Sequence, residues 1–359
     1  LSVGLSLLTI VVLVGSLSFN DIIASQENGW WIFKGHIPAF VAFIIFVYAA
    51  IKMSIRRVKQ KNIQLEALVD ERTKEVVVQK QAAEKQRDFA NEQQKIAEHQ
   101  KELVEEAHRE ITDSINYAER IQRSFLATDE ILSEHLDDYF VFFQPKDVVS
   151  GDFYWAGTLS NGTFAMVNAD STGHGVPGAI MSILNISSIE RAIEQNLIDP
   201  PAIFNSTRKT IIERLKKDGS EEGGKDGMDA SIICFDFENN SFKYTAAQNP
   251  IWVVRDGELT EIKPEKMPVG KHDKDDVPFV GGEYEMKKGD IIYTITDGFQ
   301  DQFGGPKQKK FMVKKMREYV LSISHLPMKE QHKNLSETFS NWKGETEQVD
   351  DVCVIGVRI

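Results

Sequence analysis

One stretch constrains this chain more than any other: SGDFYWAGTLSNGTFAMVNADSTGHGVPGAIMSI, residues 150–183. It reads as strand, tight loop, strand, and then a glycine-rich turn into a helix. Residues 153–159 and 163–169 have the aromatic and β-branched character of paired strands, and Asn161-Gly162 marks the turn. Loop length decides where two acidic residues go. A two-residue loop pairs Ser160 with Thr163 and sends Asp152 and Asp170 to opposite faces of the ribbon. A three-residue loop of Ser160, Asn161 and Gly162, with Gly162 left-handed, pairs Asp152 with Asp170 on one face. Directly opposed like charges are unfavourable unless a cation lies between them. The expectation is the three-residue loop, and with it a metal.

Two further acidic positions stand at strand ends downstream. IIYTITDGFQD carries a buried-type strand, residues 291–296, that ends at Asp297-Gly298, and Asp350-Asp351 immediately precede a strand over residues 352–358. A lone Asp at a strand end is ordinarily a turn residue. Several around a common point suit hard, oxygen-seeking ions such as Mg²⁺ or Mn²⁺. Cys234 and Cys353 both lie in apolar strand patterns without metal-ligand spacing and read as buried, reduced thiols.

The segments SGDFYW, NADSTGHGVPGA, AAQNPIW, ITDGF and VDDVCVIGV follow one another in the order found in SpoIIE-type (sporulation phosphatase) domains. These domains belong to the PPM, type-2C-like, metal-dependent protein serine/threonine phosphatases, which the chain resembles over residues 110–359. The resemblance implies two Mn²⁺ or Mg²⁺ ions. Asp152 resembles the carboxylate that bridges or nearly bridges them, and Asp170 the second ligand, with the Ser171 carbonyl beside it. Asp297 and Asp350 resemble the ligands that complete the pair. Asp351 falls where relatives carry Asn or Asp and is the weaker candidate. Asp229 and Asp226 match the surroundings of a third, weaker metal, though a strand-edge acid and a loop acid are the plainer reading. Lys146 lies where other members place a phosphate-binding Arg; a solvated strand-end lysine is its plainer reading. Trp155 stands where many relatives have Asp. His174 invites a general-acid role, but packing at the start of the following helix is the safer reading.

The fold expected is α/β (α+β): a PPM-type β-sandwich of two mainly antiparallel sheets flanked by helices, over residues 127–359. Strand alternation and short turns suggest the two stacked sheets independently of the resemblance. Residues 306–344 read as mainly helical, with Trp342 docking and residues 307–310 a solvated basic cluster. The expected chemistry is attack of a metal-activated water on phosphoserine or phosphothreonine. Two other classes compete. A catalytically silent phosphoprotein-binding scaffold would keep the fold and lose turnover. A two-metal nucleotidyl cyclase would need a different strand order, against which the hairpin-rich tail speaks.

Residues 1–19 and 37–51 are uncharged apolar runs, and Lys52, Arg56, Arg57, Lys59 and Lys61 follow the second. The expectation for residues 1–54 is two transmembrane helices in a bacterial inner membrane, with the basic side and the catalytic domain in the cytoplasm. The opening on Leu1 leaves room for an upstream portion. Residues 55–126 contain no Pro or Gly and are rich in Glu, Lys, Gln and Ala. Leu68, Ala82, Phe89, Ile96 and Leu103 keep a seven-residue spacing, although Gln86, Gln93 and Gln100 hold companion positions. This supports a parallel coiled-coil homodimer that relays a signal, with a solvated spacer helix as the alternative. A net charge of −12 without a basic, aromatic-interleaved patch excludes nucleic acid as a partner. The substrate expected from the resemblance is a phosphorylated protein, such as a regulator in a sigma-factor pathway.

Overall fold

The computed structural model describes residues 29–216 and 225–359, with side chains from residue 40. Contacts divide the chain into two units, residues 1–103 and 104–359.

The first unit is dominated by helix α1, Gly29–Arg123, which continues into the second. Its uninterrupted run of good helix formers explains its length, and its side chains from Phe40 through Leu103 are almost all exposed. The expected membrane span over residues 1–19 lies outside the described residues. The run over residues 37–51 forms part of α1. Among the described residues, however, no helix is long and apolar enough to cross a membrane. The apolar side chains that begin at Phe40 soon meet Lys52, Arg56 and Arg57, so the two-span expectation finds no support here.

The second unit starts with the last turns of α1 and helix α2, Asp129–His135. Thirteen strands and five further helices follow among the described residues. One sheet has the order β1-β13-β10-β6-β7, built from Asp138–Gln144, Val352–Arg358, Ile291–Ile295, Ile251–Arg255 and Glu258–Ile262. The other has the order β2-β3-β4-β5-β9, built from Asp152–Thr158, Phe164–Ser171, Gly227–Asp236, Ser241–Ala247 and Gly282–Glu285, with β8 (Val269–Gly270) added to β4. Every strand pair is antiparallel. This is the expected sandwich of two sheets.

Its interior is filled from both inner faces by side chains such as Met166, Ile233, Phe235, Ile292 and Ile355. Helices α3 (Gly175–Glu194) and α4 (Pro200–Leu215) cover the outer face of the second sheet through Ile186, Ile189, Ile203 and Phe204. Helices α6 (Val313–Ile323) and α7 (Met328–Lys343) cover the first through Met316, Val320, Leu335 and Phe339. Between β10 and α6 lie a four-residue helix, α5 (Gly298–Asp301), and a short hairpin of β11 (Phe303–Gly304) and β12 (Lys309–Lys310). The mainly helical reading of residues 306–344 holds, since α6 and α7 fill most of that segment, and the hairpin is an addition at its start. Gly305 and Gln308 take positive φ and turn the chain, and the Trp342 ring packs beneath Gly305.

A carboxylate row at the edge of the sandwich

The β2–β3 hairpin has the three-residue loop. Leu159 N–H donates to the Thr163 carbonyl at 2.9 Å, and Gly162 has φ +84°. Asp152 is therefore paired with Asp170 in register. One strand further, Asp170 is paired with Asp229 of β4. Directly opposed residues share a face, so Asp152, Asp170 and Asp229 form a row across three adjacent strands. Asp297 follows the end of β10 and Asp350 precedes β13, and these bring carboxylates from the other sheet to the same edge. A cleft of about 300 Å³ is lined by Asp170, Ser171, Asp229, Asp350, His174 and Lys225, among others. Asp152, Asp297 and Asp226 do not line it.

Burial and mutual repulsion perturb these acids strongly. Asp152 is 1% exposed, and its pKa is pushed well up by burial and then by Asp170, against a 2.6 Å hydrogen bond donated by Thr296 Oγ1. Asp170 is raised by burial and then by Asp297, Asp350 and Asp229. Asp229 is raised to about 6, by desolvation first and Asp297 second. Asp297 also reaches about 6, through desolvation by the surrounding protein and then the charge of Asp350.

Hard oxygen donors, several unneutralised carboxylates and one shared cleft fit divalent cations. No three metal-binding side chains among the described residues gather tightly about one point. That arrangement still suits Mg²⁺-like ions, which bind through one or two carboxylates and retain several waters.

The backbone around the row is held by close approach and by side chains that sequence reasoning missed. A Cβ on Gly151 or on Gly178 would overlap the Gly173 carbonyl oxygen, so strand start, loop and helix start meet backbone to backbone. Thr296 Oγ1 also accepts from Cys353 N of its own sheet at 2.8 Å, and its bond to Asp152 joins the two sheets. Asn185 of α3 donates to Ser171 Oγ at 3.0 Å. Gln122, in the last turn of α1, is buried. Its amide accepts from Ser150 N and donates to Ser150 O and Ser182 Oγ, tying α1 to the residue two before Asp152.

Asp351 spends both oxygens on backbone donors, Lys146 N and Gly151 N, each at 2.7 Å. It thus fixes the loop between β1 and β2. Lys146 Nζ reaches His174 Nε2 at 3.4 Å, and His174 Nδ1 lies 3.2 Å from Asp147 Oδ2. A neutral ring protonated on Nδ1 satisfies both contacts. His174 is exposed and makes no capping bond, so it does not serve as helix-start packing. Trp155 donates to Glu190 at 3.3 Å.

This fold, with acidic side chains gathered from both sheets at one edge, defines a metal-dependent phosphatase domain of the PP2C type. Residues 160–359, more than half the chain, match the family model "Stage II sporulation protein E (SpoIIE)". The chain belongs to the SpoIIE family. It is similar to the SiaA-PP2C domain of Pseudomonas aeruginosa, with 30% identity, a TM-score of 0.63, and coverage of 70% of this chain and 98% of that one. It also shares its fold with the PP2C phosphatase domain of SpoIIE from Bacillus subtilis, with 21% identity, a TM-score of 0.50, and coverage of 62% and 63%. A 49-residue stretch is 63% identical to part of an NADH-quinone oxidoreductase component of Bacteroides fragilis. That match spans 14% of this chain and only 14% of that curated relative.

Proposed function

We propose that the protein is a bacterial signalling phosphatase that hydrolyses phosphoserine or phosphothreonine in a protein substrate. The observation that carries this reading is the row of Asp152, Asp170 and Asp229, facing Asp297 and Asp350 from the other sheet. In this reading Asp152, Asp170, the Ser171 carbonyl, Asp297 and Asp350 hold two Mn²⁺ or Mg²⁺ ions, and Asp229 contributes to a third. When bound, such ions supply a nucleophilic hydroxide near neutral pH and neutralise charge on the phosphoryl oxygens.

The chain's own groups do the rest. Thr296 holds the Asp152 carboxylate in one orientation. Asp351 fixes the loop that carries Lys146. In this reading Lys146 and His174, 3.4 Å apart, receive the substrate phosphate.

Regulation through α1 is part of the proposal. It is supported by Gln122, which bonds the helix end to Ser150, and by heptad-spaced Leu68, Ala82, Phe89, Ile96 and Leu103, which suit a homodimer. Anchoring in the inner membrane, with the phosphatase in the cytoplasm, rests on the uncharged runs and the basic residues that follow them. A regulator in a sigma-factor pathway is the substrate we favour.

Hydrolysis of p-nitrophenyl phosphate and of a phosphoserine peptide by the full chain, with Mn²⁺, Mg²⁺ or EDTA, tests the chemistry. Metal-dependent turnover that disappears in Asp152→Asn is expected. Metal binding without turnover in the wild type would instead mark a silent phosphoprotein-binding scaffold.

A further inference from the structure

The basic hairpin β11–β12 stands beside the carboxylate row. Its root, Gln302, is fully buried and donates to the Glu347 carbonyl at 3.0 Å, while its Oε1 accepts from Val349 N at 3.0 Å, one residue before Asp350. On its other side the hairpin follows directly from α5, whose Asp301 N–H donates to the Asp297 carbonyl. Gly305 N–H donates to the Trp342 carbonyl and Trp342 Nε1 to the Gln302 carbonyl, so the hairpin is rigidly seated. Both of its attachments lead straight to proposed metal ligands.

The hairpin carries Lys307 in its turn and Lys309 and Lys310 on the two faces of β12, all exposed. Lys310 pairs with Asp301 at 2.7 Å and lies within electrostatic reach of Asp297. Lys307 and Lys309 have no acidic partner among the described residues. On a chain of net charge −12, Lys307 and Lys309 are two unpaired cations on an element whose two ends lead to Asp297 and Asp350.

We propose that this hairpin is a substrate-docking element that selects phosphoproteins with acidic residues flanking the phosphorylated Ser or Thr. The inference rests on the phosphatase reading for the identity of the cleft. Lys307 and Lys309 meet the acidic flank, and Lys310, held by Asp301, supports the field between flank and metal site. Charges at the rim of an interface act on association and its salt dependence. The hairpin therefore acts on KM and leaves the chemical step alone.

The test uses the full chain in detergent, with Mn²⁺, and two labelled phosphoserine peptides of equal length, one flanked by Asp and Glu and one by Ala. Fluorescence anisotropy reads binding whether or not turnover occurs, and p-nitrophenyl phosphate, which has no flanks, reads the phosphatase separately. The wild type is expected to bind the acidic peptide about fivefold more tightly at low salt, as two exposed ion pairs allow, with the preference fading as ionic strength rises. In Lys307→Glu/Lys309→Glu the preference falls to unity or reverses, through KM, while p-nitrophenyl phosphate turnover stays within about twofold of wild type. The milder Lys307→Gln/Lys309→Gln serves if charge reversal disturbs the fold. Equal binding of both peptides by the wild type, or an unchanged preference in the variants, overturns the proposal. Absent turnover of p-nitrophenyl phosphate by the wild type overturns the phosphatase reading and leaves the binding result to decide the hairpin.

Discussion

Asp152→Asn separates the electrostatics of the site from its packing. Asp152 is 1% exposed and stands opposite Asp170. Opposed side chains in a strand pair lie about 5 Å apart, where two carboxylates repel by about 3 kcal/mol at an effective dielectric constant of about 20. Escaping the repulsion by taking up a proton costs about 5 kcal/mol at about pH 7.5, because each unit above the ordinary value near 3.9 is about 1.36 kcal/mol. Burial, the larger cause, adds to the repulsion, so the metal-free wild type bears between about 3 and 5 kcal/mol, the cost of protonation being the ceiling. Asn bears neither, and its side-chain oxygen still accepts from Thr296.

In EDTA near neutral pH the variant is therefore expected to be more stable by about 3–5 kcal/mol, a rise in Tm of about 6–20 °C for a domain of this size. The pH dependence has a definite sign. The folded-state pKa values of Asp152 and Asp170 are raised, so the stabilising form is the protonated one. That contribution is present in full below the ordinary carboxylate pKa and is lost as pH rises through the folded value. The gap between variant and wild type should thus close towards about pH 4. Mn²⁺ should raise the wild-type Tm and move the variant little. Thermal melts followed by circular dichroism, with EDTA or Mn²⁺ at several pH values, read all of this. A variant that melts at or below the wild type in EDTA near pH 7.5 would refute the repulsion argument.

Other substitutions probe the supports. Thr296→Val removes the donor to Asp152 and orphans Cys353 N; a loss of about 2–4 kcal/mol is expected in urea melts, with weaker Mn²⁺ binding by calorimetry. Gly178→Ala forces a methyl group into the Gly173 carbonyl, and about 1–3 kcal/mol should be lost in the same melts. Gln122→Ala strands the buried backbone N–H and carbonyl of Ser150 and should cost about 2–4 kcal/mol, with an earlier urea midpoint.

The β2–β3 hairpin is legible in the sequence because two aromatic and β-branched runs flank Asn161-Gly162; the turn admits two loop lengths, and the cation needed between Asp152 and Asp170 singles out the register. Asp229 looks like an isolated strand-edge acid because nothing local pairs β4 with β3; once that pairing exists, Asp229 must fall opposite Asp170. The hairpin at residues 303–310 leaves little trace in the sequence because its strands are two residues each and are stabilised by Trp342, far along the chain. Gln122 offers no signal at all. It sits in a polar helix beside Gln86, Gln93 and Gln100, and only the partner surface around Ser150 distinguishes it. His174 misleads for the opposite reason: its neighbours suggest packing, but Asp147 and Lys146 draw the ring outward.

The strand order has a consequence for the protein's life before it is finished. β13 lies between β1 and β10 in the first sheet and pairs with both. A nascent chain can form the β2–β3 hairpin as soon as residue 171 has emerged. It cannot join β1 to β10, or deliver Asp350 and Asp351, until synthesis has passed Arg358. Until then the first and last strands of that sheet wait for each other across most of the domain, a non-local closure of the kind that folds slowly. A chain cut short before β13 therefore lacks both the strand that joins β1 to β10 and the Asp350 carboxylate, and it cannot assemble the acidic edge.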